Sequence, residues 1–338
     1  MPTPEMLLAV ILMASLTFYV LFGGADYGGG VWDLLARGPR AQKQRELIAH
    51  AITPVWEANH VWLILVVVLL FAGFPPAFAA VSTALNIPLT VLTIGIVMRG
   101  SSFIFRAYHT SDYRTQRRWG VIFAIASTIT PLCLGVIVGA ISSGRVIVKD
   151  GVSENGFLAP WLGVFPVTVG FFALSLFVFL AAVYLTVEAK EPALQRDFRR
   201  RALASGIIVA VMALGTFLAA KTGAPDIYAE LLRPSIAWVV QGATALFSIA
   251  AFGALLLRRY RVARIATMLQ VSSILWGWGI AQAPYLLQGR MTIAQGAAAP
   301  SVLWALIGAT AIGLLVLFPS LWYLMRLFKT GDQRIPLH

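Results

Sequence analysis

The sequence predicts an all-α polytopic membrane bundle of nine transmembrane helices, with the N-terminus outside and the C-terminus in the cytoplasm. Three observations predict it. The chain of 338 residues is 59% hydrophobic and only 12% charged, with the apolar residues clustered, which is too apolar for a soluble domain. Nine apolar stretches reach the roughly 20 helical residues needed to cross a hydrocarbon core of about 30 Å. The connections between those stretches carry sharply unequal basic charge, alternating from one to the next. The reading is a single integral membrane domain covering 1–338.

In chain order the spans are 6–24, 54–73, 77–98, 119–141, 161–187, 202–220, 235–257, 265–282 and 301–325. The first has no basic residue before it and ends Phe-Gly-Gly-Ala-Asp, so it reads as a retained helix and not a cleaved signal. The connection 25–53 opens with Gly28-Gly-Gly30, read as a flexible turn, and becomes amphipathic and basic at Arg37, Arg40, Lys43 and Arg45. Its second half is predicted to be an interfacial helix ending near His50. Thr53 suits an N-cap and Pro54 a first helical position. Phe74-Pro75-Pro76 reads as a tight outer turn, making the second and third spans a close antiparallel hairpin. Asn86-Ile-Pro88 is expected to bend the third span near its middle, and Thr130-Pro131 and Phe165-Pro166 to bend the fourth and fifth. Trp276, Trp278 and Tyr285 fit an aromatic belt at the outer interface.

The net charge of +12 alone would fit a nucleic-acid partner, but its distribution excludes that reading. One set of alternate connections holds 21 Lys and Arg and the other holds five. This is the positive-inside asymmetry, and it fixes the orientation and supports an odd number of spans. The run Arg196–Arg201 reads as a topology signal facing anionic lipid. The single Cys133 permits no intrachain disulfide and no cysteine-based metal site.

Within the nine spans Glu57 is the only acid, His60 the only histidine, and there is no Lys or Arg. A charge at bilayer depth costs roughly 2.5–3.5 kcal/mol on insertion scales, so its default reading is an ion or proton path. Glu57 and His60 lie three residues apart, hence on one helix face, and Trp56 shares the His60 side. Asp26, at the inner end of the first span, lies at the same level. Asp26, Glu57 and His60 are therefore expected to form a short polar inlet from the cytoplasm. The competing reading is electrostatic. In it Asp26 caps a turn beside Gly28, Glu57 favours the positive end of its helix, and His60 is a hydrogen-bonded core residue. Structural or pairing roles fall to Trp56, Asn59, Arg99 and Arg106, with Arg99 or Arg106 as partner of Glu57.

A transmembrane b-type haem needs axial ligands at matching depth on facing helices. His50, His109 and His338 lie outside the spans, so a bis-histidine haem is excluded, and ligation by His60 alone or with a Met is the one haem reading left open. No metal site and no nucleotide-binding pattern is present.

Phe22-Gly-Gly-Ala-Asp-Tyr-Gly28, Pro54-Val-Trp-Glu-Ala-Asn-His-Val-Trp-Leu63, Phe74-Pro-Pro-Ala-Phe78, Arg99 with Arg106, Ala283-Pro-Tyr-Leu-Leu287 and Met291-Thr-Ile293 together resemble subunit II of bd-type quinol oxidases, including the cyanide-insensitive variants. The resemblance runs from the first span to the start of the ninth, and its Pro54–Leu63 block is the most specific part. It implies a bacterial inner-membrane complex that oxidises quinol and reduces oxygen to water. It implies a partner subunit I carrying b- and d-type haems, a small single-span subunit, surrounding membrane lipid, and in some relatives a quinone held as a structural lipid. This chain would bind no haem, brace subunit I and contribute to a cytoplasmic proton route. Carried over by position, Glu57 and Asp26 match acidic residues implicated in that route; the reading takes Glu57 as the relay acid, Asp26 as the mouth and His60 as an auxiliary hydrogen-bonding partner. Some relatives have Asp at the position of Glu57, and some a second acid where this chain has Gly23. Two other classes stay open from the residues alone: a secondary transporter with a proton-coupled acid, and a purely structural scaffold.

Overall fold

The computed structural model describes residues 3–52, 56–108 and 113–330; the side chains of 56–58, 106–108, 113–114, 116–117, 236–237, 321–322 and 324–330 lie outside that description. Thr53 and Pro54, expected to start the second span, and His109 and His338 also lie outside it.

The first helix, α1 (Pro4–Leu34), starts with proline at its first position and an acid, Glu5, in its first turn, both suited to a helix N-terminus. It does not stop at the glycines. Gly28–Gly30, expected as a flexible turn, are helical and buried. Inside an apolar bundle a backbone that leaves the helix loses its hydrogen bonds with no water to replace them, so the ladder continues. The glycines serve close approach instead. A Cβ on Gly28 would collide with the Phe177 carbonyl, and one on Gly30 with Ser127. Next comes α2 (Ala41–Ile52), the amphipathic segment expected on the basic side, which buries Gln44, Ile48 and Ile52.

Helix α3 (Trp56–Gly73) ends at Phe74, where α4 (Pro75–Ala84) departs at 114°. The chain breaks again at Leu85 before α5 (Asn86–Tyr108). The close antiparallel hairpin of residues 54–73 and 77–98 therefore does not form. The crosswise α4 separates its arms: α3 packs on α1, and α5 on α6 (Tyr113–Ser142). Pro88 sits in the first turn of α5, where its missing N–H breaks no helical bond, while Pro131 lies within α6.

A two-residue hairpin, β1 (Val148–Lys149) with β2 (Val152–Ser153), precedes α7 (Val164–Glu188). Pro166 falls in the first turn of α7. Then come α8 (Pro192–Gly223), α9 (Pro225–Leu232), the short α10 (Pro234–Ile236), a π-helical stretch (Ala237–Gln241), α11 (Gly242–Leu256) and α12 (Tyr260–Gln282). Arg196–Arg201, expected in a connection, are the second and third turns of α8. A second hairpin, β3 (Tyr285–Leu287) with β4 (Met291–Thr292), leads to α13 (Ile293–Gly296) and α14 (Pro300–Thr330). These two small hairpins are the only strands among the described residues of an otherwise helical chain.

Among the described residues seven helices are long and apolar enough to cross a membrane, or eight if the bent α3–α4 pair counts as one span. Of the nine expected spans, α3 does not qualify as a straight helix and α12 does not qualify at all. Gln270, Ser272, Ser273 and Gln282 make α12 less apolar than its neighbours. The core is organised around α7, which is apolar on every side and packs on α8, α6, α1 and α12. Phe179, Leu180, Ala182 and Val183 are fully enclosed there. In lipid such packing is held by close van der Waals fit and interhelical hydrogen bonds. Trp32 of α1 donates to the Val178 carbonyl of α7 at 2.8 Å.

Candidate functional site

One buried polar cluster joins α1, α3, α5 and α6. Asp26 lies two turns before the end of α1, and its side chain has no exposed surface. Arg99 of α5, 2% exposed, forms a hydrogen-bonded ion pair with Asp26 through Nη2 and Oδ1. Asn59 Nδ2 of α3 donates to the other carboxylate oxygen at 3.0 Å. Arg99 Nε donates to Ser127 Oγ of α6 at 3.1 Å. The guanidinium carbon lies 4.6 Å from the Tyr27 ring centroid and 5.0 Å from that of Phe123, so the cation is sandwiched by two rings. Tyr19 Oη, one further layer along α1, lies 3.2 Å from Tyr27 Oη.

The local sequence explains why these groups meet. Gly30 lets α6 approach until Ser127 faces Arg99, and Gly23 leaves room for Asn59 against α1. A buried charge is tolerated only when paired and hydrogen-bonded, and both conditions hold for Asp26 and Arg99. The cluster is not fully satisfied, however. Asn59 Oδ1 is buried without a hydrogen-bond partner, and so is Thr130 Oγ1, one turn from Ser127 on α6. A water molecule that donates to such atoms is the usual remedy inside a protein.

Of the residues singled out from sequence, Asp26, Asn59 and Arg99 are brought together. His60 is half-buried beside them, within electrostatic reach of Asp26. Arg99, one of the two cations expected as a partner for Glu57, pairs with Asp26. The side chains of Trp56, Glu57 and Arg106 lie outside the described residues, although the backbone of Trp56 and Glu57 forms the first turn of α3. Sequence reasoning missed Ser127, Tyr27, Phe123 and Thr130. Serine and threonine in membrane helices usually bond their own backbone, as Thr128 does here to the Ala124 carbonyl, so their type alone gave no signal.

Among the described residues no group of three or more His, Cys, Asp and Glu is placed to hold a metal. The described histidines are His50, on the short α2, and His60, on α3; they do not form a pair on facing membrane-length helices, so these residues do not fit a bis-histidine haem.

The model of the cytochrome bd terminal oxidase subunit II family matches residues 4–328. A protein of Bacillus subtilis (strain 168), provisionally named a cytochrome bd menaquinol oxidase subunit II, is 24% identical over 98% of this chain and 97% of its own length. The cytochrome bd-I ubiquinol oxidase subunit 2 of Escherichia coli (strain K12) is 27% identical over 37% of this chain and 32% of its own. In fold, the chain is similar to one in the bd oxidase structure from Geobacillus thermodenitrificans, with a TM-score of 0.79 over 97% of this chain and 99% of that one, at 24% identity. With a buried carboxylate at the centre of a multi-pass helical bundle, and a family match spanning nearly its whole length, the chain belongs to the cytochrome bd terminal oxidase subunit II family.

Proposed function

We propose that this chain is the haem-free subunit II of a quinol:oxygen oxidoreductase, a single integral domain in the bacterial inner membrane. It braces a subunit I that carries the b- and d-type haems, and it helps supply protons from the cytoplasm. Nine spans, with the N-terminus outside and the C-terminus inside, follow from the charge asymmetry of the connections.

One observation carries the proton role. Asn59, two residues beyond Glu57 and one before His60, ties α3 directly to the Asp26 carboxylate. That bond holds the 57–60 turn and Asp26 at one level. Reduction of oxygen to water consumes protons as well as electrons, and a proton crossing a dry bundle needs carboxylate, imidazole and water in sequence. In this reading Glu57 is the relay acid. Asp26, paired with Arg99, is the entry acid of the route. His60 and the buried Asn59 Oδ1, which can take a bonded water as its partner, complete the row. The chemistry at the haems belongs to the partner; this chain's residues bind, orient and pass protons only.

The test is steady-state oxygen consumption of the assembled complex carrying Glu57→Gln or Asp26→Asn. Slower turnover with near-normal haem content and assembly is expected of Glu57→Gln, whereas Asp26→Asn also leaves Arg99 buried and uncompensated and is expected to lower the thermal midpoint. The Asp26–Arg99 pair also fastens α1 to α5 within this chain. If Glu57→Gln loses assembly with no separate kinetic effect, a structural role alone remains.

A further inference from the structure

On the basic face, away from the Asp26 cluster, a cavity of about 400 Å³ opens between the α7–α8 and α11–α12 turns. Arg258, Arg259 and Arg261 line it together with Gln195, Tyr260 and Val262, and no carboxylate does. The nearby acids are already engaged: Glu188 lies 3.4 Å from Arg264, and Glu191 lies 2.9 Å from Lys43. Arg258, Arg259 and Arg261 make no ion pair among the described residues, and all three are exposed. The first turn of α12 forms one wall. Its N-cap, Arg259, offers no side-chain acceptor, and the turn holds no acid. An anion there would meet three guanidiniums and the positive end of a 23-residue helix.

The apolar surroundings say what kind of anion. Val262, Ile265 and Leu269 are exposed at positions i, i+3 and i+7 of α12, so they form a continuous stripe leading from the cavity along the helix for about 10 Å. Leu256 and Leu257, immediately before Arg258 in the chain, are exposed as well. A soluble phosphate would use the charge and leave the stripe bare. A molecule with a phosphate head and hydrocarbon tails satisfies both.

We propose that this cavity binds the phosphate of an anionic glycerophospholipid, whose acyl chains lie along Val262, Ile265 and Leu269. The site is separate from the proton row, so the two readings stand or fall independently.

The experiment uses the delipidated whole complex, titrated with phosphatidylglycerol and read by native mass spectrometry and by thermal shift. Wild type is expected to retain and rebind the lipid. Loss of charge at each arginine is expected to weaken binding roughly fivefold, so the Arg258→Gln, Arg259→Gln, Arg261→Gln triple should lose about a hundredfold. The corresponding triple to Lys keeps the charge and should keep most of the binding. If the Gln triple does not assemble, the single Arg261→Gln variant gives the same reading on a smaller scale. Arg37→Gln and Arg200→Gln, in a neighbouring basic cavity that already contains Asp197, are expected to leave binding unchanged. Equal lipid binding by wild type and the Gln variants overturns the proposal, as does an equal loss in the Arg37 and Arg200 controls. Full protection by millimolar inorganic phosphate, with nothing added by the lipid, would assign the cavity to a soluble anion and overturn the lipid assignment.

Discussion

At the scale of single residues, Arg99 controls the chemistry of the cluster. Removing one partner of a buried ion pair strands the other in a medium that cannot solvate it, at a cost of about 3–5 kcal/mol. Arg99→Met should therefore lower the thermal midpoint of the complex strongly. Asp26→Asn combined with Arg99→Met should recover much of that loss, because neither charge is then uncompensated; a double variant as unstable as Arg99→Met alone would show that the pair is not the source. The sequence made Asp26 and Arg99 visible as charges next to apolar runs, but not their pairing. They are 73 positions apart, and only the crossing of α1 with α5 and α6 decides which acid the guanidinium meets. Asn59 was visible only as a member of a motif, and its bond to Asp26 depends on the rotation of α3 about its own axis.

Elements meet where side chains are smallest. The crossing of α1 and α7 closes at Gly28, whose missing Cβ leaves room for the Phe177 carbonyl and Ala181. Gly28→Ala should cost about 1–3 kcal/mol through overpacking, measured as a fall in the midpoint of heat denaturation. The same change at Gly242, which has open space around it, should be neutral or mildly stabilising. The apolar runs were readable because membrane-length hydrophobicity is a strong local signal. Their breaks were not. The 114° departure of α4 and the restart at Asn86 arise from proline at the start of both α4 and α5, and a proline that begins a helix looks in sequence much like one that kinks it. The Gly28–Gly30 run misled for a related reason. In water three glycines favour a turn, while inside a bundle the need to keep every backbone bond favours helix.

For the whole molecule, the distribution of 21 basic residues against five predicts an outside N-terminus and a cytoplasmic C-terminus. A reporter active only in the cytoplasm should work when fused after Thr330 and fail when fused before Pro4, and the reverse result would invert the bundle. The outer helices are lightly packed: 11% of the apolar window of α14 is buried, against 50% for α7. Within this chain α14 has few neighbours, chiefly α1 and α3, so most of its surface is left for lipid or a partner subunit. That gradient could not be read from hydropathy, since α7 and α14 are equally apolar and differ only in what surrounds them.

The 73-residue separation of Asp26 and Arg99 also has a consequence for biogenesis. A nascent chain leaves the ribosome from its N-terminus, so the carboxylate reaches the translocon well before the cation that will neutralise it. Until α5 emerges, Asp26 lacks the guanidinium that will pair with it. The first helix of this protein is thereby inserted early and seated late, its final depth set by a residue not yet made.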